Sequence, residues 1–80
     1  MRINVIIKLV EDYFMTNRVH ELRKQHKITQ EALANMVGVT RQTIISIENG
    51  KYQASLVLAL KIAKIFNMPL EEIFIIEDGD

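Results

Sequence analysis

Apolar residues recur at helical spacing through the middle of this chain, with helix-starting and helix-stopping residues between the recurrences. Val19 and Leu22 would face a core from a helix over Arg18 to His26, for which Asn17 is the cap. Leu33, Ala34 and Val37, with Gln30 one turn earlier, form a buried stripe on a helix that starts at Thr29 and stops at Gly38. Glycine suits that position because it takes positive φ without the steric penalty of a Cβ. Thr40 caps the next helix, puts Ile44 and Ile47 on its own side at 3.6 residues per turn, and is answered by a stop at Gly50. After the loop KYQA, Ser55 caps SLVLALKIAKIF, whose only polar side chains past the cap are Lys61 and Lys64. A helix that apolar has to be covered nearly all round, one face by the motif's core and the other by the amino-terminal segment or a second subunit. Asn67 ends it, Pro69 starts the short turn PLEEI, and FIIE forms a strand stopped by Asp78 and Gly79. At the amino terminus, Ile3, Val5, Ile6, Ile7, Leu9 and Val10 favour a strand through their β-branched character, although Ile6, Leu9, Val10 and Tyr13 would also share a helical face.

The stretch TQEALANMVGVTRQTIISIENG, residues 29 to 50, is therefore two short helices with a tight corner between them, a helix-turn-helix pattern. The second helix buries two isoleucines and turns Gln42, Ser46 and Asn49 outward, flanked by Arg41 and Ile45. Those side chains match what major-groove readout uses: amides for adenine, arginine for guanine or phosphate, and an alkyl group for the thymine methyl.

Here the chain resembles the helix-turn-helix domains of lambda-repressor and Cro type, also called the xenobiotic-response-element family. The matching words are TQEALA, VGVTRQTIISIENGK and SLVLALKIAKIF followed by PLEEIF, and the resemblance covers residues 16 to 77. It implies a mainly α fold, a compact five-helix lambda-repressor-like DNA-binding domain, to which short terminal β-strands would add a small antiparallel sheet. It also implies a sequence-specific transcription regulator, most simply a repressor, that binds an inverted-repeat operator as a homodimer with the 40–49 helix in the major groove. The family uses a glutamine opening the motif's first helix on phosphate and one near the start of the second on a base. The expected base-reading residues are Arg41, Gln42, Ile45 and Ser46, and the expected phosphate contacts are Gln30, Thr40, Asn49, Lys51 and Tyr52. The family further implies an internal ion pair between Arg23 and Glu48. The first fourteen residues have no family counterpart of this kind. They form an amino-terminal extension, either a strand or an upstream misreading of the start codon, before a domain over 15–80 with a carboxy-terminal dimerisation segment.

Charge and composition adjust this picture in places. A net charge of zero is at odds with phosphate binding, but residues 18–51 carry six basic against three acidic side chains and residues 52–80 carry two against five, so the positive half holds the motif. With 80 residues the chain has one small core and buries a limited share of its surface, so dimerisation would help its stability. The segment after Asn67, particularly Leu70, Ile73, Phe74 and Ile76, together with the far face of the Leu56 to Phe66 helix, is the expected interface. The lack of cysteine removes disulfides, thiolate metal sites and thiol nucleophiles, and fits a cytoplasmic protein. Apolar runs are too short for a bilayer, and INVII lacks the flanks of a signal peptide. His20 and His26 do not share a helical face, and Glu71 and Glu72 sit in a helix's first turn, where negative charge is favoured anyway. No catalytic group, metal, cofactor or small-molecule effector is expected. The competing function is a protein-interaction module, such as an antitoxin, using the same helical surface. Gln30 and Gln42 favour DNA, while Ile45 is the residue least suited to a purely DNA-facing surface.

Overall fold

The computed structural model of the chain describes residues 13–51 and 54–78. A strand, β1 (Tyr13–Asn17), leads into five helices, α1 (Val19–Gln25), α2 (Gln30–Val37), α3 (Arg41–Glu48), α4 (Leu56–Phe66) and α5 (Leu70–Ile73), and a second strand, β2 (Phe74–Asp78), follows. Among the described residues no helix is long and apolar enough to cross a membrane.

The starts of α2, α3 and α4 follow from side chains that satisfy free backbone groups. Thr29, Thr40 and Ser55 each accept from the N–H three residues on, that of Ala32, Thr43 and Leu58, at 3.0, 3.3 and 3.1 Å. Gly38, at φ 77°, ends α2 in the left-handed conformation, and Asn67, at φ 55°, ends α4 the same way. Asn17 acts on two elements at once. Its Oδ1 accepts from the Val19 N–H at 3.1 Å and its Nδ2 donates to the Ile47 carbonyl at 3.0 Å, which joins the start of α1 to the end of α3.

One hydrophobic cluster holds the helices together: Val19 and Leu22 from α1, Leu33, Ala34 and Val37 from α2, Ile44 and Ile47 from α3, Leu58, Ile62, Ala63 and Phe66 from α4, and Ile73 from α5. Every helix among the described residues contributes to it. At close-packed density, lost methylenes leave cavities that the surroundings fill only partly.

One expectation needs correction. Ile73, expected at a subunit interface, is 0 % exposed and belongs to the monomer's own core, because the short α5 turns it inward before β2 begins. On the far side of α4, where the amino-terminal segment or a second subunit is the expected cover, Leu56, Val57 and Leu60 are 67, 63 and 51 % exposed. The strand expected over residues 1–14 lies mostly outside the described residues. The observed partner of β2 is β1, antiparallel, in register from Tyr13 opposite Asp78 to Asn17 opposite Phe74. β1 therefore includes Tyr13 and Phe14, the last two residues of the expected amino-terminal extension.

Candidate nucleic-acid interface

Arg41 and Gln42, the first two residues of α3, are exposed, as are Thr40 before them and Asn49 and Lys51 after the helix. Ile45 and Ser46 are half-buried on the same helix, and Tyr52 lies outside the described residues. The fixed Ile44 and Ile47 side chains, both 0 % exposed, decide which face of α3 turns outward. Thr40 has a structural duty as well, since its hydroxyl caps α3 and lies 3.1 Å from that of Thr43. The starts of α2 and α3 come together at the surface, where Lys24, Thr29, Gln30, Glu31 and Arg41 line one polar hollow with Arg23 at its base. Lys24 and Arg41 are its exposed cations, against Glu31.

Behind this surface lies a network centred on Glu48, the last residue of α3. Its carboxylate accepts from Arg23 through Nε at 2.7 Å and Nη2 at 3.2 Å, and from Gln30 Nε2 at 3.2 Å. The Arg23 and Glu48 side chains are 8 and 4 % exposed, so this is a buried pair and not a surface one. Arg23 also donates to the Ile28 carbonyl at 3.0 Å, between α1 and α2. Burial pushes the Glu48 carboxyl up, but hydrogen bonds from Arg23, His20 and Gln30, with the Arg23 charge, outweigh it and hold the group below the usual glutamate range. Sequence reasoning misses His20, whose Nδ1 is 3.1 Å from both Glu48 Oε1 and Arg23 Nη2. A single ring nitrogen is either donor to the carboxylate or acceptor from the guanidinium in a given tautomer. The only local signal for His20 is its spacing of three from Arg23 on α1, and the 28 residues to Glu48 give none.

The helix-turn-helix family model matches residues 19–73, from the start of α1 to the end of α5. The chain belongs to this family, in its lambda-repressor or xenobiotic-response-element branch of DNA-binding transcription regulators. Among its relatives, an HTH-type transcriptional regulator of Methanocaldococcus jannaschii is 54 % identical over 66 residues, 82 % of this chain and 100 % of that protein. The Bacillus subtilis HTH-type transcriptional regulator YgzD is 52 % identical over 64 residues, covering 80 and 97 % of the two chains. The P22 c2 repressor, solved in complex with a synthetic operator, superimposes with a TM-score of 0.68 at 28 % identity, over 79 % of this chain and 91 % of that one.

Proposed function

We propose that this regulator is a repressor that binds an inverted-repeat operator as a homodimer, with α3 in the major groove of each half-site. The observation that carries the reading is the meeting of the two helix starts: Gln30 and Arg41 line one hollow, and Gln42 stands exposed beside them. Arg41, Gln42, Ile45 and Ser46 then face base edges, and Gln30, Thr40, Asn49 and Lys51 face phosphate, with Tyr52 assigned to phosphate from the sequence. Contacts to phosphate fix register, and contacts to base edges supply specificity. Half-burial of Ile45 weakens the case for a protein partner on this helix, because the residue least suited to DNA is partly withdrawn.

The dimer is supported by large apolar side chains exposed among the described residues. Leu56, Val57 and Leu60 lie on one side of α4, and Ile76 on β2 is 65 % exposed. A second copy covers these residues, with the half-buried Leu70 and Phe74 at the margin. Two-fold symmetry places the recognition helices about 34 Å apart, so half-sites lie ~10 bp apart centre to centre. Selecting bound fragments from a random DNA pool tests the reading. An inverted repeat with that spacing is the expected product, and a lone half-site would overturn the dimeric arrangement.

A further inference from the structure

Gln30 donates to Glu48 Oε1 at 3.2 Å, across 18 residues and between the first residue of α2 and the last of α3. We infer that Glu48 is a positioning residue for DNA binding, whose carboxylate pre-orders the Gln30 amide so that one N–H is held by the protein and the other is left for a phosphate. The inference rests on the proposed phosphate role of Gln30.

The chemistry of the two groups fixes the arrangement. An ionised carboxylate only accepts hydrogen bonds, so the amide must turn its nitrogen, and not its oxygen, toward Glu48. The NH₂ group has two protons, which lets a single side chain bridge two anions. Neither a carboxylate nor a hydroxyl at position 30 can do this. Glu48 remains ionised although its side chain is only 4 % exposed, because hydrogen bonds from Arg23, His20 and Gln30, with the Arg23 charge, outweigh the cost of burial. Arg23 thereby has a second effect. Without its charge, the Glu48 carboxylate would repel a phosphate approaching Gln30.

An untethered glutamine loses rotamer freedom when it binds, and ordering such a side chain weakens binding by about 2- to 10-fold. That is the advantage Glu48 confers. It connects the ion pair between α1 and α3 to the DNA contact of α2, so the pair influences affinity as well as stability.

The test measures fluorescence anisotropy with a DNA fragment selected by the full-length protein. The variants are Gln30→Ala, the double change Arg23→Met with Glu48→Met, and all three together. The double change removes the carboxylate and its counter-ion at once, so neither charge is stranded. Gln30→Ala should weaken binding by about tenfold or more in the parent protein, as expected for a hydrogen bond to a charged group. In the double-methionine background its effect should be smaller by about 2- to 10-fold. Equal losses in both backgrounds overturn the positioning role and leave Gln30 as an independent phosphate contact. No loss in either background overturns the phosphate reading together with it. Relaxation of the Gln30 side-chain amide nitrogen in the unmutated free protein provides a check if the double variant does not fold. A restricted amide is expected, and mobility like that of an exposed glutamine overturns the inference.

Discussion

Replacing Arg23 by methionine should destabilise the domain far more than removal of a surface charge would. The change leaves the Glu48 carboxylate, 4 % exposed, without the guanidinium that donates to it at 2.7 and 3.2 Å. Breaking a buried pair from one side typically costs about 3–5 kcal/mol, against ~0–1 kcal/mol for an exposed pair. Glu48 keeps its contacts with His20 and Gln30, which places the expected loss near the lower end, about 3 kcal/mol. In a domain of this size each kcal/mol shifts the midpoint by about 4–8 °C, so Tm should fall by about 12 °C or more. Glu48→Met should cost a comparable amount, because it strands the buried guanidinium, which retains the Ile28 carbonyl at 3.0 Å but no counter-charge. The double methionine variant should recover most of the loss, since an apolar pair of similar volume carries no desolvated charge. Urea and thermal unfolding followed by circular dichroism at neutral pH would measure all four proteins. Additive losses below about 1 kcal/mol would refute the reasoning, because they are the signature of two independent, solvated charges.

Stability should also fall in acid. Because the folded Glu48 carboxyl titrates below its ordinary value of 4.5, its contribution is complete above that pH and is lost as pH falls through the depressed folded value; the Glu48→Met protein should lack this part of the pH dependence. Gly38→Ala should cost about 1–2 kcal/mol in urea unfolding, because φ is 77° while an added Cβ would meet nothing within 4 Å. Ile47→Ala, at a position 0 % exposed, should cost about 2–5 kcal/mol by the same assay, and a loss under 1 kcal/mol would place the residue outside the core. Leu60→Glu and Ile76→Glu, at residues 51 and 65 % exposed, should leave the fold intact and shift sedimentation at micromolar concentration from dimer to monomer. Unchanged sedimentation of both would remove these residues from the interface.

Much of this architecture is legible in the sequence because its determinants are local. Thr29, Thr40 and Ser55 announce helix starts through a hydroxyl that reaches an N–H three residues away, and Gly38 announces a stop through its backbone freedom. The outward face of α3 is legible for the same reason, since Ile44 and Ile47 fix it by periodicity alone. What depends on distant partners is less accessible. The strand pairing of Tyr13–Asn17 with Phe74–Asp78 joins the two ends of the domain, and the β-branched run nearest the amino terminus draws attention away from it. Ile73 looks like surplus apolar surface until the turn of α5 is known to bring it inside. His20 and Gln30 converge on Glu48 from 28 and 18 residues away, and neither spacing suggests the contact.

The central claim, that α3 reads DNA sequence with Gln42 on a base edge, is tested most directly by comparing the DNA sequences selected from one random pool by the parent protein and by Gln42→Ala. Gln42 is exposed in the first turn of α3, so the substitution removes its amide without disturbing the core. The account predicts relaxed preference at one position in each half-site, with a loss of about 1–3 kcal/mol on the parent operator and preference elsewhere retained. Selection of the same sequence with the same affinity by both proteins would contradict it.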